Sequence, residues 1–492
     1  MEMRMKKNIY PVSICLIICL LSGLFSGCGV VVRGLGKGAD HVWRSQILRQ
    51  GRFGPLSETE KQWAATAWKY FENNYNPQTG LYNSVDGYKT ATLWHMGDSL
   101  AALIAARELE LIPVCDFDKR VSELLHFLNT MDLFYGKLPN KIYNTEEGST
   151  DILKTQKAHS PDNAEEKKEE IGWSATDIGR LLIWLRILKT RYPEYGEYAD
   201  RAVLRWNFCD LISPCGTLYG GIKSPDGSVR TFQEGRLGYE EYAAKGFQFW
   251  GFDTRMASRF EPFETVRIYN YDIPYDRRTQ REGDSIAPVM SHTFMLDGME
   301  FNWDQAKDNY PGLDSVHTDS QMAKLAKTIY KVQETRFLEE HIFTARTDYR
   351  VQEEPFQIFS TIFAEGYPWN VLTANGEYQK NAALVSTKAA FGMWVLWETP
   401  YTDKLMNLME CLHDSQQGWY EGRFEQTGGY LKSLTIETNA AVLEALLYKA
   451  KGKLFPGNTK PGFYENTIED SFKREGKCLP REMKPCLNDI RP

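Results

Sequence analysis

In the stretch EEIGWSATDIGRLLIWLRILKTRYP, Glu169 to Pro193, the apolar residues do not keep to one stripe. Ile178, Leu181, Leu182, Ile183, Trp184, Leu185, Ile187 and Leu188 cover nearly every face of a helix. A helix apolar all round is buried all round. Ser174 stands as an N-cap with Asp177 three residues on, so the pattern predicts an interior helix whose positively polarised N-terminus faces an opening. One-faced helical segments alternate with such all-round segments along the chain. The one-faced ones are Glu58 to Asn74, Asp116 to Met131, Tyr195 to Leu211, a short piece near Arg259, Ser320 to Glu339 and Thr402 to His413. Between them come Asp98 to Leu109, the Ser174 helix, Gly238 to Ala257, Ser285 to Met299 with Pro288 in its first turn, Ser386 to Trp397 and Thr438 to Ala450. This alternation predicts an all-α fold, a six-hairpin (α/α) toroid with an inner and an outer ring of helices and minor β structure in the loops.

Loop lengths sharpen the picture. Connections from an inner segment to the next outer one are short, whereas those from outer to inner are long: Tyr75 to Gly97, Asp132 to Trp173, Ile212 to Leu237, Pro262 to Asp284, His341 to Val385 and Asp414 to Glu437. Long loops in a compact domain usually carry function, and in a toroid all six emerge on one face. Decoration or disorder is the alternative, and only Thr145 to Lys168 has that composition.

The ends of the chain read differently. Residues 1–27 carry Arg4, Lys6 and Lys7 before an apolar run from Ile9 to Phe25 and small residues ahead of Cys28. They resemble a bacterial lipoprotein signal, which implies lipidation of Cys28 and a periplasmic or extracellular, membrane-anchored protein; an uncleaved anchor or a plain secretory signal is the alternative. Residues 28–55 then read as a tether, 56–455 as the toroid and 456–492 as a surface tail. Cys209 with Cys215, and Cys478 with Cys486, are disulfide candidates in an oxidising envelope, and pairing is left open.

Composition narrows the chemistry. The 492 residues are 42% hydrophobic and 25% charged, and the net charge of −7 without a basic stripe excludes a nucleic-acid binder. There is no G-x-S-x-G elbow, P-loop, H-E-x-x-H or zinc-like cysteine spacing, so no cofactor or metal is expected. What the loops do hold is carboxylates beside aromatics and glycine, such as QEGRLGYEE, RTDYR, EGYPWN and GWYEGR. Cleaving a glycosidic bond needs two carboxyl groups, one protonated and one ionised, with aromatic faces for the sugar. The catalytic candidates are therefore Glu241 as acid, with Glu240 and Glu234 behind it, and Glu421 or Asp348 as partner. Trp94, Trp173, Trp369, Trp419 and Tyr420 are candidate sugar platforms. Asp98, Glu170, Arg236, Tyr239, Arg346, Asn370 and Arg423 are candidate hydroxyl-binding groups. Structural readings compete: Asp177 suits a capping box, Asp98, Glu240 and Glu241 suit first-turn acids, and His95 and His292 suit core histidines.

The runs EIGWSATDIGRLLIWL, QEGRLGYEEYAA, SIAPVMSH, TARTDYR, GYPWN, STKAAFGMWVLW and GWYEGRFEQTGG resemble a bacterial envelope family defined by a domain of unknown function, over roughly Leu56 to Phe455. That family is similar in architecture to the glucoamylase-like toroid enzymes, including β-1,2-glucan hydrolases. The resemblance implies an exported carbohydrate-active enzyme and assigns no acid or base. Three functions are expected from it and from the residues: a glycoside hydrolase, a non-catalytic glycan-binding lipoprotein aiding synthesis or export, or a polysaccharide lyase in which Arg236, Arg346 and Arg350 hold a uronate.

Overall fold

The computed structural model describes residues 51–150, 171–235, 237–260, 263–278, 286–306, 317–457 and 463–469. The signal, Cys28 and most of the tether lie outside them. No helix among the described residues is long and apolar enough to cross a membrane.

In chain order the helices are α1 (Glu58–Asn73), α2 (Leu93–Glu108), α3 (Val114–Thr130), α4 (Ala175–Arg191), α5 (Gly196–Leu204), α6 (Tyr239–Phe249), α7 (His292–Phe301), α8 (Ser320–Glu340), α9 (Thr387–Leu396), α10 (Pro400–Met409), α11 (Ile436–Lys451) and α12 (Phe463–Glu469). The helices apolar on nearly all faces pack in a closed cycle: α2 on α4, α4 on α6, α6 on α7, α7 on α9, α9 on α11, and α11 back on α2. Outside the cycle, α1 lies on α11, α3 on α2, α5 on α4, α8 on α7 and α10 on α9.

Local chemistry sets the helix starts. Ser57 and Glu60 form a reciprocal capping box on α1, where the side chains satisfy N–H groups that a helix leaves open. Asp319 caps α8 at Met322 N–H, and Thr435 caps α11 at Thr438 N–H. Ser174 accepts the Asp177 N–H at 3.1 Å as expected. The first two N–H groups of α4 go instead to the carboxylate of Glu234, 59 residues away in sequence.

Three expectations are corrected. The outer helix near Arg259 is not one: α6 ends at Phe249, and residues 250–259 are turns, with Gly251 at φ 86° and Trp250 pinned through its indole N–H to Leu182 O. Pro288 does not open a helix, because Val289 bridges to Phe363 in extended form and α7 starts at His292. The β structure is minor, as expected: among the described residues eighteen short strands build small sheets from the outer-to-inner loops. Finally, the described residues of the tether and of the tail pack on the domain. Arg52 pairs with Asp403 at 2.6 Å. The α12 segment buries Tyr464 against Trp250, takes Asp200 on the Tyr464 N–H and pairs Glu465 with Arg186 and Lys189.

Candidate active site at the inner-helix N-termini

Polar side chains converge where the inner helices begin. Glu437 stands in the first turn of α11, Lys388 in that of α9, His292 opens α7 and His95 lies in the first turn of α2. Strand 348–350 adds Asp348 and Arg350. The Lys388 ammonium bridges two carboxylates, at 2.7 Å from Glu437 and 3.1 Å from Asp348. Glu437 also accepts from Arg350 Nε at 2.8 Å and sits 3.2 Å from His95 Nε2. His95 Nδ1 accepts the Thr92 N–H, so the proton directed at Glu437 is on Nε2. Asp348 takes Gln357 Nε2 at 3.0 Å and the Thr347 hydroxyl at 3.0 Å, with His292 Nδ1 at 3.9 Å.

The charges follow from this geometry. Burial is the largest single influence and works against ionising Asp348 and Glu437, but Lys388 together with Arg350 and the neighbouring histidines outweighs it, and both carboxyls are held below their usual range. Burial and then Lys388 push His292 down to about 3, which keeps its ring neutral. Glu421 interacts with the same groups, yet burial dominates and lifts it to about 7. Its oxygens accept from the hydroxyls of Thr435 and Thr438.

One atom each of His292, Asp348 and Glu437 lies within 4.8 Å of the others, the spread of a cation site. Lys388 and Arg350 already balance the two carboxylates, so a divalent ion would add positive charge beside a buried ammonium.

An aromatic wall adjoins the cluster. The ring of Trp94 lies 5.7 Å from His292 and 6.1 Å from Tyr239, and the Arg180 guanidinium is 5.1 Å from it. Arg180, fully buried, binds Asp98, Glu300 and Glu444 at 2.6, 2.8 and 2.6 Å, and burial raises all three carboxyls. Asp98 is thus a partner of Arg180 within the polar layer behind Trp94.

Of the residues singled out from sequence, Asp348, Trp94 and Tyr239 meet in this cluster, with Glu421 beside it. Glu170 and Arg236 lie outside the described residues. The others take different places. Glu241 accepts the Gly238 N–H at 2.7 Å and caps α6. Glu240 holds Leu218 N–H and Gln233, and Glu234 caps α4. Trp419 is sealed in the core with Trp63 and Phe391. Trp369 stacks against Arg336 at 4.4 Å. Asn370 ties its own loop through Ala364 O and Val371 N–H. Arg346 makes a two-pronged pair with Glu425 at 2.7 Å, which removes it as a uronate clamp. Arg423 lies against Gly428, Tyr420 is half-buried on the same strand, and Trp173 lines a separate cavity.

Sequence reasoning missed Glu437 and Lys388 and set aside His95 and His292. A signal existed: Lys388 sits in the first turn of an otherwise apolar helix, the end where a cation is disfavoured unless carboxylates await it.

A profile of the family described as "Protein of unknown function (DUF3131)" matches residues 62–452. Curated proteins gave no match. Among solved structures, the chain is similar to a protein assigned as a glucoamylase from Bacteroides fragilis, with 13% identity, TM-score 0.55 and coverage of 81% of this chain and 93% of that one. It is also similar to the endo-β-1,2-glucanase of Chitinophaga pinensis, solved with sophorotriose and glucose, at 12% identity and TM-score 0.52, covering 82% and 94%. The endo-β-1,2-glucanase of Talaromyces funiculosus with sophorose follows at 12% identity and TM-score 0.50, covering 81% and 84%. At these identities the likeness is one of fold: a helix-rich, glucoamylase-like toroid.

Proposed function

The chain belongs to the DUF3131 family, and from that premise we propose that it is a lipid-anchored envelope glycoside hydrolase acting on an oligo- or polysaccharide. The observation that carries this reading is the meeting of Asp348, Glu437, Lys388 and His292 beside Trp94 and Tyr239, at one end of the ring of inner helices. Asp348, whose hydrogen-bond partners besides Lys388 are the neutral Gln357 and Thr347, is assigned the base or nucleophile. Glu437, held by Lys388, Arg350 and His95, keeps the ion network in register. Glu421, poised near neutrality, is the proton reservoir for the departing sugar oxygen. Trp94 and Tyr239 offer ring faces to the sugar. β-1,2-Linked glucans are the first substrates to try, given the ligands of the fold relatives.

The test is incubation of the purified chain with a panel of α- and β-linked glucans and envelope glycans, with products read by mass. Asp348→Asn is expected to lower turnover at least about a hundredfold. Full activity in that variant sinks the assignment.

One observation favours a second reading, a glycan binder without cleavage: Lys388, Arg350 and the histidines together hold both central carboxyls low, in the ionised form, so neither donates a proton. Saturable oligosaccharide binding with no products from any glycan on the panel would select it.

A further inference from the structure

A cavity of about 640 Å³ opens among the long loops that precede α4 and α6, built from different residues than the Asp348–Glu437 cluster. Its walls are aromatic. Phe134 packs on Tyr135 at 4.3 Å and on Trp173 at 5.6 Å, and the Trp173 indole N–H is spent on Tyr219 O at 2.9 Å, which fixes the ring. Trp173 lies on a glycine: a Cβ at Gly221 would come 2.5 Å from its ring. The disulfide-bonded Cys209 forms part of another wall. Polar groups stand among these rings, namely Thr231 and the exposed pair Lys137–Asp210 at 3.2 Å. Large apolar faces with a few polar groups, in a space of this size, make a small-molecule site.

Tyr135 is the informative residue. The turn Tyr135–Gly136, closed by Lys137 N–H to Phe134 O at 2.9 Å, has φ of 48° and 68° at its two central positions. Such turns strongly favour Asn or Asp followed by Gly, because a bulky side chain is strained at positive φ. Here an aromatic ring occupies that position and is 49% exposed at the edge of the cavity. Its hydroxyl reaches Gly227 O at 3.2 Å in the neighbouring hairpin, and Lys223 Nζ lies 5.7 Å from the ring. A strained, half-exposed ring on a cavity rim, with polar groups nearby, suits the alternating apolar face and hydroxyl edge of a sugar.

We propose that this cavity is a second carbohydrate subsite, in which Tyr135 stacks on one sugar residue of a glycan chain while Lys137, Asp210 and Thr231 take its hydroxyls. Trp173 directly precedes the cap of α4, and Glu234, at the end of strand 229–233, caps the same helix. The subsite is therefore built on the elements that seat an inner-helix N-terminus at the central cluster.

The inference rests on the glycan reading above, and its test measures occupancy so that the two can fail separately. The full chain is titrated by calorimetry with β-1,2-, β-1,3- and β-1,4-linked gluco-hexasaccharides. Tyr135→Asn restores a residue the turn prefers, so its Tm is expected to stay at or above wild type while its Kd weakens at least about threefold. Thr231→Trp, which fills the space from an exposed position, is expected to weaken binding likewise. Both variants binding as wild type, or a wild-type chain that binds none of the three sugars, overturns the proposal. A chain that binds through Tyr135 yet cleaves nothing overturns only the catalytic reading.

Discussion

Lys388 and Glu421 show how one residue's surroundings reverse its ordinary behaviour. Burial alone raises the carboxyls of the central cluster; for Asp348 and Glu437 the Lys388 ammonium, joined by Arg350 and the histidines, overrules it, whereas for Glu421 Lys388 does not. The difference has a pH signature. Glu421 is raised from 4.5 to about 7, so between those values the folded chain holds a proton that the unfolded chain has lost. Its stabilising contribution is complete below 4.5 and disappears as pH rises through about 7. Asp348 and Glu437, being lowered, act oppositely: their contribution is present above the usual carboxylate range and is lost in acid. Glu421→Gln removes only the first effect. The Tm difference between wild type and variant, followed by calorimetry, is expected to shift in the variant's favour as pH rises from 4.5 to about 7. A difference that does not vary with pH would show that Glu421 titrates alike in the folded and unfolded chains.

At the scale of elements, the α4–α6 contact is tighter than apolar periodicity reveals. A Cβ on Gly179 would lie 2.7 Å from Ala243 Cβ, and one on Gly246 would lie 2.2 Å from Gly179 O. These glycines are there for close approach, since helix formation itself disfavours them. Gly246→Ala gains about 1 kcal/mol of helix propensity, yet overpacking costs about 1–3 kcal/mol or more where backbone cannot yield. Net destabilisation is expected, seen as a lower urea midpoint with an unchanged slope; a neutral result would mean that the helices can part freely. The same scale explains the missing outer helix. Apolar spacing continued past Phe249, but Gly251 at positive φ and the Trp250 bond to Leu182 O end α6 there.

Across the whole molecule, the inner cycle closes because α11 returns to α2, so residues hundreds of positions apart share one face. The last described helix, α12, adds a clamp on the outside. Tyr464 is 2% exposed against Trp250, and Glu465 completes a buried group with Lys189 and Asp200. Tyr464→Ala is expected to lower stability by roughly 3 kcal/mol, in the range of buried aromatic truncations, with a matching fall in Tm. A loss no larger than that of a surface substitution would make α12 dispensable.

Much of this was legible along the chain. The alternation of one-faced and all-round helices gave the inner helices and the toroid class, because burial on all sides leaves a local trace in every residue of a segment. The loops between them were located for the same reason, apart from the one after α6, where the expected outer helix is absent and α7 starts at His292, and Asp348, Trp94 and Tyr239 fell within their flanks. Partnership left no such trace. Whether a carboxylate caps a helix, as Glu241, Glu240 and Glu234 do, or faces a lysine, as Asp348 and Glu437 do, depends on groups up to dozens of residues away. Trp419 and Trp369 likewise looked like sugar platforms until the fold surrounded one with aromatic rings and stacked the other on arginine. Sequence determined which segments go inside, since hydrophobicity is a property of each residue; only tertiary structure decided which acids meet, since charge and protonation are properties of neighbours.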